Sequence, residues 1–153
     1  MSQYLSIEPS ISILIASIGS TEIAIALKHI ESIINPKEFE QNHIIEKFDG
    51  KIIHFNNHTF PVIDLHEMLQ LKINCQSEFL RLLLLDYNKF QFAFFVEEIK
   101  EIIILREVTF DPNYDQAFFE NSFIQSIIKF EDRPLVLPNF EKIIITTLDK
   151  TTL

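Results

Sequence analysis

The sequence predicts an all-β fold with short helices, built as two similar halves packed on each other. Three observations carry this. Short apolar runs recur at regular spacing between turn residues, the pattern of a sandwich or barrel. Two stretches of the chain align on two later stretches, which marks an internal repeat. With 153 residues, 47% of them apolar, the chain suits one domain or two small fused barrels with a real core.

Residues 1–9 read as a short polar arm and 146–153 (TTLDKTTL) as a frayed tail, which leaves one domain over 10–145. The run 10–18 (SISILIASI) sets Ile11, Ile13 and Ile15 against Ser10, Ser12 and Leu14, the period of a strand. Gly19, Ser20 and Thr21 then form a hairpin turn, and 22–27 (EIAIAL) is the return strand. Ile30, Ile33 and Ile34 read next as an apolar turn. The runs 52–55, 59–63, 79–85, 90–96, 123–130 and 134–137 are further short strands. Asn56-Asn57 and Tyr87-Asn88 take the hairpin corners, because Asn tolerates a left-handed backbone where glycine is absent.

The repeat is the most informative feature. Residues 23–34 (IAIALKHIESII) align without gaps on 92–103 (FAFFVEEIKEII) at an offset of 69, matching Ala24 to Ala93 and Ile30, Ile33 and Ile34 to Ile99, Ile102 and Ile103. Residues 55–69 (FNNHTFPVIDLHEML) align on 130–144 (FEDRPLVLPNFEKII) at an offset of 75. Asp64 and Asn139 each precede apolar residues at i+1, i+4 and i+5, an N-cap followed by one helical face, and Asp64 with Glu67 has the capping-box pattern. A half of about 60–70 residues is marginal alone. The halves, approximately 20–75 and 80–145, are therefore expected to pack as two interleaved barrel subdomains.

Several function classes drop out. The net charge of -9 and the lack of a basic cluster argue against nucleic acid. The two glycines, Gly19 and Gly50, permit neither a phosphate-cradling loop nor a nucleophile elbow. The lone Cys75 makes no internal disulfide, and no secretory signal or membrane-spanning run is present, so a cytoplasmic protein is expected. His54 and His58 have metal-like spacing but would lie on opposite strands of a hairpin with no third ligand. Glu97, Glu98 and Glu101 read as a solvated face at a strand end. The runs 79–85 (FLRLLLL), 92–96 and 102–105 are apolar on both faces. That means burial between the halves or, failing that, a partner-binding surface.

The segment 51–65 (KIIHFNNHTFPVIDL) resembles the CheW-like domain family, whose pattern ends in Pro-Val-x-Asp-Leu as Pro61, Val62, Ile63, Asp64 and Leu65 do here. The family's Val-x-Glu-Ile turn falls on Ile30 to Ile33, its second-half Val-Asp-x-Val-x-x-Val on Val96 to Ile102, and its closing helix on Glu141, Lys142, Ile143 and Ile144. The resemblance implies two five-stranded, SH3-like barrels and a non-enzymatic adaptor without cofactor or metal. Its partners would be the regulatory domain of a CheA-type histidine kinase and the cytoplasmic tip of a methyl-accepting chemoreceptor, in chemotaxis or pilus-motility signalling, with no nucleic acid and no membrane insertion. Partner contacts are expected at or beside Ile30, Ser32, Ile33, Asn56, Asn57, Ile99 and Ile102, with Pro61, Asp64 and Leu65 as the structural motif. The family's Glu and Arg of the first half are Ser32 and Asn56 here, so both members of one pair are absent, and glycines expected near Lys51, Asn57 and Ser126 are replaced. The competing readings are a small-ligand- or metal-binding, or catalytic, β-barrel sited at His54, His58 and the acidic turn residues, and a structural subunit of an unrelated assembly.

Overall fold

The computed structural model describes residues 4–38, 45–48, 51–110 and 120–151; Gly50 lies outside them. The chain is mostly β with few helices. Strands β1 (Tyr4–Ile18) and β2 (Thr21–Ala26) form the first hairpin, and a 3-10 turn (Leu27–His29) leads to β3 (Ile30–Ile34). Strands β4 (Ile45–Phe48), β5 (Ile52–Phe55) and β6 (His58–Pro61) precede the one-turn helix α1 (Leu65–Met68). The second half holds β7 (Arg81–Tyr87), β8 (Phe90–Val96), β9 (Glu98–Phe110), β10 (Ile124–Phe130), β11 (Arg133–Pro138) and helix α2 (Phe140–Thr151).

Among the described residues, three corners carry two successive left-handed residues, as tight hairpins require. They are Asn56 and Asn57 (φ 50 and 62), Asn88 and Lys89 (φ 50 and 75), and Glu131 and Asp132 (φ 49 and 63). The first is the expected corner. The second falls one residue later than Tyr87-Asn88, because Tyr87 pairs with Phe90, and the Asp86 carboxylate accepts the Lys89 N–H at 3.0 Å. Lys51 and Ser126 do not take a left-handed backbone, so neither position needs the glycine it lacks.

Both ends are more ordered in secondary structure than the sequence suggests. The expected arm over 1–9 is strand from Tyr4 on, with Tyr4 opposite Thr109 and Leu5 opposite Val108. The expected tail over 146–153 continues α2 as far as Thr151. Both expected helix starts are present, but only Asn139 caps with its side chain, its Oδ1 accepting the Lys142 N–H at 3.1 Å. Asp64 sits at the N-cap of α1 without a side-chain bond, so the Asp64–Glu67 capping box does not form. Its φ and ψ of -93 and 71 lie outside the extended region usual at an N-cap.

The repeat is reproduced in strand register. Ile15 faces Ala24 across β1 and β2, and Leu84 faces Ala93 across β7 and β8, each pair displaced by 69. On β7, β3 pairs Ile30 with Leu85 and then Ser32 with Leu84; on β1, β9 pairs Ile99 with Ala16 and then Glu101 with Ile15. Glu31 and Lys100 are thus the same bulge in the two copies. The segment expected to be an apolar turn is therefore a bulged strand in both halves. It is also exchanged, since β3 of the first half pairs with β7 of the second while β9 of the second pairs with β1 of the first. Segments 20–75 and 80–145 consequently do not each form one sheet.

Strands β1, β2, β11, β10 and β9 follow one another around a ring. Its seams are thin: β11 meets β2 at Val136 and Ile23, and β10 meets β9 at Ile128 with Phe110 and Lys129 with Thr109. The expected second five-stranded barrel is instead two three-stranded sheets, β3-β7-β8 and β4-β5-β6. They are joined by the parallel bridge of Val62 with Ala93, and the Ile63 N–H donates to the Ala93 carbonyl at 2.8 Å. A bridge without a continuing ladder does not merge two sheets.

Three apolar clusters result. Ile13, Ile15, Ala24, Leu105, Ile128 and Leu135 fill the ring. Ile34, Ile53, Phe60, Leu82, Leu84 and Ala93 fill the second unit. The largest cluster lies between the units, where Leu14, Ile23 and Ile25 of the ring meet Leu83, Leu85, Phe92 and Phe94 and the helices add Leu65, Phe140 and Ile143. Strand β7 is apolar on both faces because Leu82 and Leu84 point into one core and Leu83 and Leu85 into another. Among the described residues, no helix is long and apolar enough to cross a membrane.

Gly19 is required twice over. Its φ is 63, and a Cβ there would stand 2.7 Å from the Lys72 carbonyl oxygen. Gly19→Ala is expected to lower stability by about 1–3 kcal/mol, from the left-handed backbone and the displaced loop together. An unchanged urea midpoint would contradict this.

Candidate functional site

The expected contact residues separate into two groups on two units. Ile30, Ser32 and Ile33 stand on β3, and Asn56 and Asn57 are the exposed corner between β5 and β6. Ile99 and Ile102 stand on β9. Burial divides them again. Ile30 and Ile99 pack against the central core, whereas Ile33 is 42% exposed and Ile102 57%. Ile33 and Ile102 are the same repeat position, 69 residues apart. Each unit thus turns one equivalent isoleucine outward, at a site where a water-facing strand favours a polar residue.

Pro61 closes β6 in a half-buried position, and Leu65 is fully buried in the central core. Asp64, freed from capping, lines a cleft of about 380 Å³ between α1 and α2 together with Glu67, Met68, Phe123, Thr146 and Thr147. His54 lies opposite Thr59, whose hydroxyl is 3.3 Å from its Nδ1, and His58 lies opposite Phe55. Among the described residues, no three His, Cys, Asp or Glu side chains gather as metal ligands do.

On the ring's inner face, opposite to the one that carries Ile102, Arg133 gathers two carboxylates, Glu101, which the sequence places on a solvated face, and Glu22, which it did not single out. Arg133 Nη2 donates to Glu101 Oε1 at 2.6 Å, its Nε is 3.7 Å from Glu22 Oε1, and its guanidinium lies 5.6 Å from the Phe130 ring centre. The Nε is buried without a hydrogen-bond acceptor. The bond to Glu101, with the charges of Glu22 and Glu131, raises the Arg133 pKa. Lys100 is raised as well, chiefly by its 2.7 Å bond to Glu98 and then by the charges of Glu98, Glu22 and Glu97. Ile104, two residues beyond Ile102 on the same strand, is 58% exposed.

The matching positions in the other unit are neutral. Shifted by 69, Glu22 and Glu101 correspond to Gln91 and Ser32; shifted by 75, Glu131 and Arg133 correspond to Asn56 and His58. The ion-pair network of one unit therefore has no counterpart at the matching positions of the other. The signal was present in the alignment, where Ser32 stands against Glu101 and His58 against Arg133.

His29 occupies the 3-10 turn that carries the chain from the ring to the second unit, with its ring 4.6 Å from Tyr87. Burial first, then the Lys28 charge, lowers its pKa. Tyr87 in turn lies 5.7 Å from Phe140, so the junction between the units is packed by aromatic rings.

The model of the CheW-like domain matches residues 12–147. A curated relative, the chemotaxis protein CheW of Helicobacter pylori, is 24% identical over 127 residues, which is 83% of this chain and 77% of that protein. The crystal structure of the scaffolding protein TtCheW from Thermoanaerobacter tengcongensis superposes with a TM-score of 0.63 at 17% identity, covering 85% of this chain and 84% of that one.

Proposed function

Because the chain belongs to the CheW-like domain family, we propose that it is a non-catalytic adaptor of chemotaxis signalling. In this reading it couples the regulatory domain of a CheA-type histidine kinase to the cytoplasmic tip of a methyl-accepting receptor. The observation that carries the reading is the pair of exposed, repeat-related isoleucines, Ile33 and Ile102, one on each unit. An adaptor needs two faces that can be occupied together. Duplication of one fold supplies two of the same kind, and divergence of the surrounding residues lets them take different partners.

Titration of the purified protein with the kinase regulatory domain and with the receptor tip, separately and then together, tests the proposal. Both are expected to bind at micromolar concentrations and to form a ternary complex. Ile33→Ser is expected to weaken one of the two by about tenfold, the scale of a contact residue worth more than 1 kcal/mol. Absence of binding by either partner would remove the reading.

A further inference from the structure

From the difference between two hairpin corners we infer that the corner joining β7 and β8 docks an extended segment of another protein, one that presents two aliphatic side chains two residues apart. The inference stands apart from the adaptor reading. It starts from what the first unit does with the same place. Helix α1 ends where Gln70 turns left-handed (φ 58), with the Leu71 N–H donating to the His66 carbonyl at 2.7 Å and the Gln70 N–H to the Glu67 carbonyl at 3.0 Å. That closing turn takes the chain off the helix axis. Residues 71–73 then cross the corner of β1 and β2, where the Lys72 carbonyl oxygen would stand 2.7 Å from a Cβ on Gly19. Leu71 and Ile73 are half-buried against the central core while Lys72 and Asn74 are exposed, the two-residue period of an extended chain.

Among the described residues, no counterpart of that segment lies on the second corner. Ile145 stands where the repeat has Gln70, and there α2 continues to Thr151 instead of turning. Tyr87, Asn88, Phe90, Glu141, Ile144 and Ile145 line a hollow of about 190 Å³. At offsets of 69 and 75 these are Ile18, Gly19, Thr21, His66, Leu69 and Gln70, the corner that residues 71–73 cross and the helix end they leave from. A smaller hollow of about 60 Å³ adjoins it across Phe90 and Ile144, which line both.

Phe90 is 45% exposed and Ile145 56%, where the first unit has the polar Thr21 and Gln70. Two adjoining hollows suit two side chains on one face of an extended segment, which recur at every second residue. Asn88 carries the Cβ that Gly19 lacks, so the occupant approaches with side chains where Lys72 approaches with a carbonyl.

The probe is a capped peptide of the chain's own residues 70–74 (QLKIN), titrated into the isotope-labelled full chain. At about 5 mM peptide, amide shifts are expected at Asn88, Phe90, Ile144 and Ile145, since a contact of this size gives a Kd of about 1 mM. A peptide with serine in place of both aliphatic residues is expected to give none. Ile145→Gln and Phe90→Thr each write the first unit's residue onto the second at an exposed position, so folding is kept. Each is expected to weaken peptide binding about fivefold or more, the loss of one partly buried apolar side chain.

An absence of shifts at that concentration would overturn the inference, as would binding by the serine peptide or binding that neither variant weakens. Shifts centred on Gly19 and Thr21 would mean that the peptide displaces its own segment, and would overturn it too. Concentration-dependent shifts of the same four amides without peptide, abolished by Ile145→Gln, would seat a second copy of the chain there and overturn it in favour of self-association.

Discussion

Divided between Gln76 and Ser77, the chain is expected to yield two fragments that are unfolded apart and folded together. The topology makes each half incomplete. Fragment 1–76 keeps β1 and β2 but loses β9, which pairs with β1 from Tyr4 to Ser17. It keeps β3 but loses β7, against which Ile30, Ser32, Ile33 and Ile34 are zipped. Fragment 77–153 loses the mirror set. The central core is lost outright, because Leu14, Ile23 and Ile25 come from one fragment and Leu83, Phe92, Phe94 and Phe140 from the other. A unit of about 75 residues stripped of half its apolar contacts falls below the size at which one core suffices. Amide proton dispersion and a cooperative thermal transition are expected only in the equimolar mixture. A cooperative transition in fragment 1–76 alone would show that β3 closes on β1 of its own half, as β9 does on β1 here, and that the three-residue turn Leu27–His29 does not enforce the exchange.

Interleaved halves were expected, but which strands are exchanged between them was beyond the reach of the sequence, for a definable reason. An offset of 69 between residues 23–34 and 92–103 states that two halves are alike. It says nothing about whether a strand pairs within its half or with the other, since both arrangements bury the same residues. The bulge hid the strands for a related reason. Glu31 and Lys100 insert one residue into β3 and β9, so Ile30, Ile33 and Ile34 follow a spacing of three and one where an unbroken strand alternates by two. Of the nine other strands described, eight were legible because they alternate cleanly or are apolar throughout, and β4 (Ile45–Phe48) was not among the expected runs. Strands β5 and β8 fall on the expected residues, and Asn56-Asn57 marks its corner by chemistry alone.

The candidate surfaces were half legible. Continuous apolar runs signalled either burial or an interface, and the two outcomes divide by strand. Leu82 to Leu85 are buried on both faces, whereas Ile102 and Ile104 are open to solvent. Composition does not separate these cases, because Leu83 and Ile102 differ in what lies above them and not in their own pattern. The ion pair was hidden by distance in sequence: Glu101 and Arg133 are 32 residues apart. The absence of a Glu-Arg pair at Ser32 and Asn56 was plain in the first half, and the charges that stand at the matching strand and hairpin of the second half emerge once the ring of strands brings Glu101 within an ion pair of Arg133.

Phe94→Ala is expected to remove a large part of the protein's stability while leaving the exposed Ile33 and Ile102 chemically intact. Phe94 is fully buried on β8, opposite Leu83, in the core that joins the units. Its ring stacks on Phe92 with centres 6.3 Å apart and on Phe140 of α2 at 6.2 Å, each at an interplanar angle of 27°. Truncation to Ala forfeits the transfer energy of the ring and leaves a cavity between strand layers held by hydrogen bonds, so collapse is limited and the cost is about 3–5 kcal/mol. Against a total of about 5–15 kcal/mol for a domain of this kind, the variant is left marginal. At roughly 2–4 °C per kcal/mol for this chain length, its Tm is expected to fall by about 10 °C. Ile104→Ala is the matched control, since Ile104 is exposed and a surface change of that kind stays within about 0.5 kcal/mol. The two together separate core from surface: a large Tm loss for Phe94→Ala and an unchanged Tm for Ile104→Ala. Equal Tm shifts in the two variants would place Ile104 in the core.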